Sequence, residues 1–543
     1  MSYRRAGGAL AASVFAISTV VTPFFEADVA VKAATKAKLN KTETELVVGE
    51  ATKLKLKGAK ATKFETSDKK IATVNKSGKV KAKKAGTATI TVYDEKGNVY
   101  KCKVTVSKKN KTVTTHTGNI NLGGMEIIIR DWWSPYPDST YASEPQNAYE
   151  ESVEKYREEM MKKYNFKIKE AGISDWGNAG SDFINYVTSG GDDNNYVFTL
   201  HYDENINEAF LSGMMYDLST LDCLDFSEEK FLRNKVHEKY TYGSSIYAFY
   251  SGYSEPRTGV YFNKQVLRNA GIDPDSIYEA QKKGTWTWDM FEKLMDKCQR
   301  DLDGDGVDDV YGLTLNETNM IEMAVASNGG AFIGKDKKGK FTYELDSAET
   351  VEALKWCVEM FNKFDNHTPV DKSWDYYKEE FKEGKAAFMV DLGYVAENYG
   401  EMSCTDFDMG FVVFPKGPKA KNYVSLFDDN FQVIPACYDA DRAWKIAFAW
   451  NLYTNPVKGY EDYNTNIGEA EKGNFDQKAL NETIPLMSKA KTGVVTYERT
   501  LPGIDIGIDL TWNIMPNADV DAIIEYCSDK WKKAVNTANK KIK

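Results

Sequence analysis

The chain has 543 residues, 28% of them charged and 42% hydrophobic, and a net charge of -10. That length exceeds what one hydrophobic core serves and points to about three units. The composition suits a soluble globular protein and excludes any apolar run beyond the N-terminus long enough to span a bilayer. Seven cysteines are scattered without a C-x-x-C pair, which argues against a zinc centre or a disulfide framework and, the count being odd, leaves at least one free thiol.

The N-terminus carries an export pattern: Arg4 and Arg5, an uncharged apolar stretch from 6 to 25, then the small-residue site Val31-Lys32-Ala33. Residues 1–34 are read as a signal peptide, with an uncleaved membrane anchor as the alternative because the apolar stretch approaches the roughly 20 residues a spanning helix needs. No cysteine precedes Cys102, so the lipid-modified cysteine that tethers many exported proteins is missing. The expected location is extracellular, at the cell surface or associated with the cell wall.

From 36 to 111 the charge reverses, with roughly twenty lysines against about seven acids. Short β-branched runs at 46–48, 71–74, 87–92 and 104–106 are separated by Gly49, Gly78, Gly86 and Gly97, the pattern of an all-β sandwich. Ser67 to Thr91 reads SDKKIATVNKSGKVKAKKAGTATIT; its I-A-T-V, G-x-V-x-A and G-T-A-x-I-T pieces resemble the bacterial Ig-like group 2 domain. The resemblance implies a spacer or display module over 35–110. Its lysines offer contact with anionic wall polymers or a membrane surface, or serve only as a solvated face.

A polar linker over 111–122 leads into strands alternating with helices. Met125 to Arg130 reads as a strand, 147–164 as an amphipathic helix, 166–170 as a strand, 184–189 as a helix end and 196–200 as a strand. This order argues a largely parallel α/β sheet with ligands at the carboxyl ends of its strands. Trp132, Trp133, Trp176, His201 and Tyr202 lie at those ends.

The segment 242–294 resembles the hinge-crossing stretch of family 1 extracellular solute-binding proteins, which include maltose- and oligosaccharide-binding receptors. Gly243 and Tyr247 match G-x-x-Y; Tyr261, Asn263 and Lys264 match Y-x-N-K; Ala270-Gly271-Ile272 and Thr287-Trp288 match A-G-I and T-W. Downstream, 381–388 matches F-x-x-G-K-A-A-M and 411–415 a strand ending in F-P. Phe249-Tyr250 and Asp428-Asp429-Asn430 depart from the family pattern. The resemblance implies an α/β, two-lobed periplasmic-binding-protein-like fold over 123–543. Its hinge crossings are expected near 251–259, near 424–430 and after Tyr453, beside the N-terminal β-sandwich Ig-like domain. It also implies delivery of a captured small molecule to an ABC permease, with no enzymatic step, no nucleic acid and a monomeric chain.

Aromatic residues form 13% of the chain, with 32 tyrosines and 11 tryptophans. Apolar sugar faces stack on such rings while hydroxyls need directional partners, so an oligosaccharide is the expected ligand. The candidate contacts are Trp132, Trp133, Trp176, Tyr253, Arg257, Asp391, Tyr394, Asp428, Asp429 and Trp512; adjacent Trp132 and Trp133 face opposite ways in an extended strand end, so at most one stacks. Trp356, Trp444 and Trp450 have the helical spacing of core residues. Asp301, Asp303, Asp305, Val307 and Asp309 follow the calcium-loop rhythm of an EF-hand but lack its bidentate Glu; a structural calcium and a metal-free acidic turn both stay open. Two rival functions remain: a surface adhesin or sensor, and a glycan-cleaving enzyme using Asp391 with Asp428 or Asp429. The latter has no H-E-x-x-H, G-x-S-x-G or P-loop motif to support it.

Overall fold

The computed structural model describes residues 37–541 apart from 49, 85, 108–112, 135–144, 203, 366–372, 374 and 399. The expected signal peptide lies outside the described residues. The chain divides into two compact units, Met1–Asn110 and Lys111–Lys543.

The smaller unit is built from β1 (Lys38–Leu39), β2 (Glu43–Val47), β3 (Ala51–Lys53), β4 (Leu56–Lys57), β5 (Ala61–Thr66), β6 (Ala72–Val74), β7 (Lys79–Ala82), β8 (Gly86–Asp94) and β9 (Val99–Ser107). The sheets run β2-β9-β8-β5 and β3-β7-β6, with β1 paired to β4. Along β8 every second residue from Ala88 to Asp94 is buried, so the period-2 alternation sends Ala88, Ile90 and Val92 into a core with Val80, Cys102 and Val104. Gly78 sits at φ +80°, and a Cβ there would lie 2.5 Å from the Leu54 carbonyl oxygen; only glycine fits that turn.

The larger unit begins at its own edge. Thr114 N–H donates to Thr220 O at 2.8 Å, the His116 ring lies 4.2 Å from that of Trp444, and Leu122 is core, so 113–122, read from sequence as linker, lies against this unit. The first lobe's sheet contains β10 (Met125–Asp131), β11 (Phe166–Gly172) and β12 (Asn195–Leu200), all parallel. The helix Ala148–Tyr164 between β10 and β11 starts at Asn147, whose side chain accepts from Glu150 N–H, and stops at Asn165 in the left-handed conformation, φ 53°. Two short strands follow, β13 (Thr241–Tyr242) and β14 (Ser245–Ile246).

The second lobe's sheet takes β15 (Thr258–Asn263) and β16 (Tyr311–Leu315). After the small hairpin β17 (Ile333–Lys335) and β18 (Phe341–Tyr343), it adds β19 (Ala386–Leu392) and β20 (Met409–Val413), in the order β16-β19-β15-β20. All six residues of β15 are buried, as a strand covered on both faces requires. Gly259 and Gly410 leave room for the Phe411 and Phe262 rings, which a Cβ would approach to 2.4 and 2.1 Å.

Three crossings join the lobes. The first runs from Phe249, bridged to Gln432, to β15. The second runs from β20 through β21 (Ser425–Leu426) to β22 (Phe431–Val433), which adds antiparallel to β12 in the first lobe. The third leaves the helix Ala440–Tyr453, whose Trp444 and Trp450 are core of the first lobe, and enters second-lobe segments around Gly473, packed on Ala396. β23 (Gly493–Val494) then pairs with β21 at the crossing itself. The two-lobed α/β fold and the crossings expected from the sequence are present. The second lobe's sheet is mixed rather than parallel, because β15 is antiparallel to both its neighbours. Among the described residues no helix is long and apolar enough to cross a membrane.

Candidate functional site

A cleft of about 620 Å³ opens where the lobes and crossings meet. The first lobe contributes Trp132, Trp176, His201 and Tyr202, the crossings Glu255, Arg257, Thr258, Leu426, Asp428 and Asn430, and the second lobe Asn319, Glu322, Leu392 and Tyr394; Arg499 completes the wall. A second recess of about 480 Å³ shares Trp176, His201, Tyr202 and Arg499 and extends past Gly507 to Trp512.

Each wall residue is aimed by a local device. Buried Asp131, at the end of β10, accepts from Trp133 N–H (3.2 Å), Ser134 N–H (2.9 Å) and Ser134 Oγ (2.7 Å). This turn directs Trp132 into the cleft, while Trp133 is 53% exposed and lines neither recess. The Trp176 indole lies flat on His201, with centroids 4.4 Å apart and planes 4° from parallel. His201 is anchored at both ring nitrogens by the backbone carbonyl oxygens of Tyr202 (2.5 Å) and Trp176 (2.7 Å). The outer face of Trp176 is left to solvent.

On the second lobe, Asn316 caps the helix Glu317–Ser327 by accepting from Asn319 N–H at 3.0 Å. Asn319 and Glu322, three residues apart, then share the helix face toward the cleft. Asp391 is buried behind them. It accepts from Asn319 Nδ2 (2.9 Å), Tyr377 Oη (3.0 Å) and Leu392 N–H (2.8 Å), and so acts through Asn319 rather than by lining the cleft. Burial raises its carboxyl.

Asp429 likewise stays behind the wall. Its two oxygens accept from Ser254 Oγ (2.7 Å) and Glu255 N–H (2.8 Å), stapling the first crossing to the second, and burial pushes its carboxyl up to about 6. Tyr253 points away from the cleft, its ring under Arg233 at 4.5 Å and its hydroxyl donating to Asp462 O at 3.4 Å. Arg257 faces Glu255 (Nη1 to Oε2, 3.3 Å). Its Nε is fully buried and has no hydrogen-bond partner among the described residues.

Arg499 ties the walls together. Its guanidinium contacts Glu322 on the second lobe (Nε to Oε1, 3.1 Å), lies 3.9 Å from Asp428 on the crossing, and stands 4.5 Å over the ring of Tyr202 on the first lobe. Lys239 makes a second ion pair with Asp428. Burial alone would raise the Asp428 carboxyl, but Lys239 and Arg499 overturn that and hold it well below the usual carboxylate range. Burial pushes Glu322 up to about 7 against the pull of Arg499. The cleft therefore offers flat ring faces beside fixed donors and acceptors.

Of the residues singled out from sequence, Trp132, Trp176, Arg257, Tyr394 and Asp428 line the cleft and Trp512 the adjoining recess. Trp133, Tyr253, Asp391 and Asp429 do not. Glu255, Asn319, Glu322 and Arg499 were not singled out; no motif marks Arg499, and its partners lie far off in sequence.

The acidic loop lies between the helix Trp288–Cys298 and β16, on the second lobe. Carboxylate oxygens of Asp301, Asp303 and Asp309 come within 4.8 Å of one another, all exposed. The Asp301 carboxyl is lowered by N–H donors from Gly306 (2.8 Å) and Gly304 (2.6 Å). Asp305 is not in this group; it accepts from Val307 N–H at 2.8 Å.

Residues 232–451 match the family model described as bacterial extracellular solute-binding protein, and residues 27–106 match the bacterial Ig-like domain (group 2). No curated protein matches the chain. Among solved structures, the cyclic alpha-maltosyl-1,6-maltose binding protein from Arthrobacter globiformis is 14% identical, with 77% of this chain and 98% of that one covered and a TM-score of 0.48. A cyclo/maltodextrin-binding protein complexed with maltotetraose is 15% identical, with coverages of 79% and 98% and a TM-score of 0.47. An ABC substrate-binding protein from Listeria monocytogenes in complex with cycloalternan is 16% identical, with coverages of 77% and 98% and a TM-score of 0.45.

Proposed function

We propose that this chain, which joins a bacterial Ig-like domain to a bacterial extracellular solute-binding region, captures an oligosaccharide in the interlobe cleft and delivers it to an ABC permease. The observation that carries this reading is the pairing of a free indole face, Trp176, with the polar and cationic side chains of Arg257, Asn319 and Arg499 in one cleft. Sugar rings need that combination: apolar C–H faces stack while hydroxyls take up directional partners. Binding without chemistry is favoured because the three aspartates that the sequence offered as a catalytic pair are engaged. Asp391 and Asp429 serve as internal acceptors, and Asp428 is held by two cations. Export and an extracellular location follow from the same reading.

Calorimetric titration of the full chain with neutral di- to hexasaccharides, followed by small-angle scattering at saturation, tests it. The expected outcome is micromolar binding with a smaller radius of gyration, since a ligand gripped from both lobes favours the closed state by its differential affinity. Binding with an unchanged radius favours the adhesin or sensor reading, and new reducing ends would favour an enzyme.

We also propose a structural calcium in the loop of Asp301, Asp303 and Asp309, three carboxylates of hard-cation chemistry. Calcium is expected to raise the melting temperature by several degrees and chelator to reverse this, with sugar affinity unchanged. The double substitution Asp301→Asn, Asp303→Asn should abolish the response; a melting temperature indifferent to calcium in the unmodified chain overturns the proposal.

A further inference from the structure

In the smaller unit two pairs of lysines face each other across strands. Lys53 on β3 stands directly opposite Lys79 on β7, and Lys38 on β1 directly opposite Lys57 on β4. Leu54 and Leu56 pack on the core between Lys53, Lys55 and Lys57, so these three lysines take the outward side. Lys81 alternates with buried Val80 and Ala82 and points the same way as Lys79, opposite Ala51 and Thr73. Like charges directly opposite on a ladder are destabilising. Here two such pairs occur, one in the β3-β7 ladder and one in the β1-β4 ladder, and among the described residues no carboxylate is in register opposite any of these lysines.

The other sheet is arranged differently. On it Glu43 opposes Lys103, and Lys63 pairs with Glu65 at 2.8 Å. Charge is balanced locally on one sheet and left unbalanced on the other, so the imbalance is a property of that face and not only of a lysine-rich composition.

We propose that the outward lysines Lys38, Lys53, Lys55, Lys57, Lys79 and Lys81 bind a linear polyanion of repeating phosphate groups. Alternate residues on a strand lie about 7 Å apart and opposed ones about 5 Å, which sets ammonium groups in a flat row against closely repeating anionic charges. A polymer is favoured over a lipid surface because this face presents no large exposed apolar side chain among the described residues. The unit's exposed one, Val99, is on β9 of the other sheet.

The test uses the full chain with inorganic polyphosphate as probe, titrated at low and at physiological salt, and with phosphatidylglycerol vesicles in a separate arm. Lys53→Ser, Lys79→Ser, Lys81→Ser together should weaken polyphosphate binding at least tenfold and make the logarithmic salt dependence shallower by about 2. The matched triple on the other sheet, Lys63→Ser, Lys101→Ser, Lys103→Ser, should change binding less than about twofold. The first triple relieves like-charge repulsion, so it should melt no lower than the parent, and the arginine version of the same triple should keep binding. Equal loss in the two triples, or vesicle binding without polyphosphate binding, overturns the proposal.

Discussion

Replacing Arg499 with alanine should weaken saccharide binding by about a hundredfold and destabilise the larger unit by about 3 kcal/mol at pH 8.5. The guanidinium is held between Glu322, Asp428 and the Tyr202 ring, and its side chain and that of Glu322 are only 15% and 12% exposed. Truncating one partner of such a pair leaves the other charge buried without compensation. Asp428 keeps Lys239, but Glu322 loses its cation.

The sign of the pH dependence follows. Burial already raises Glu322 from its ordinary value of 4.5 to about 7, and without Arg499 it rises further. A carboxyl that keeps its proton in the fold costs little at low pH, and stability is lost as pH rises through the folded value. The deficit of Arg499→Ala should therefore be smaller at pH 6 than at pH 8.5. The double substitution Arg499→Ala, Glu322→Ala should recover part of the stability and none of the binding. Thermal melts across that range and titration with the saccharide that binds best are the measurements. An equal deficit at both pH values would mean that Glu322 is not the group left uncompensated.

Trp176→Ala should cost roughly thirtyfold in affinity, about 2 kcal/mol, with the melting temperature moved by less than about 2 °C. The indole is 63% exposed, so the fold gains little from its outer face, whereas a sugar ring covering that face removes apolar surface from water. Its inner face rests on His201, which fixes the plane presented to the ligand. Trp176→Phe should restore most of the affinity, because a smaller flat ring still stacks. An unchanged affinity for every saccharide that binds would place the sugar elsewhere in the cleft.

Trp512 extends the same argument along the recess. It is 64% exposed, and a Cβ on Gly507 would come within 2.9 Å of its indole, so the glycine leaves the ring room to lie over that turn. Trp132 lines the cleft and Trp133 is turned to solvent, but they sit on the Asp131 turn rather than in an extended strand and their rings meet edge to face, with centroids 4.9 Å apart. Trp356, Trp444 and Trp450 are buried at 9%, 2% and 0% exposure, in keeping with their helical spacing.

The two-unit organisation, the reversal of charge between the units, the period-2 strands of β8 and the capped helices after Asn147, Thr287 and Asn316 are written locally in the chain. They depend on side-chain alternation, short polar caps and turn glycines, interactions that reach only a few residues. The hinge-crossing stretch from 242 to 294 was legible because its motifs are contiguous. What only the tertiary structure decided is which polar groups face the ligand. Asp391, Asp429 and Tyr253 share the chemistry of Asp428 and Tyr394, yet the first two are consumed as internal acceptors and the third packs on Arg233. Arg499 and Glu322 lie in stretches without a motif and enter the wall because folding brings residues 202, 322, 428 and 499 together. A side chain's availability to a ligand is settled by what else buries and hydrogen-bonds it, and those partners come from distant parts of the chain.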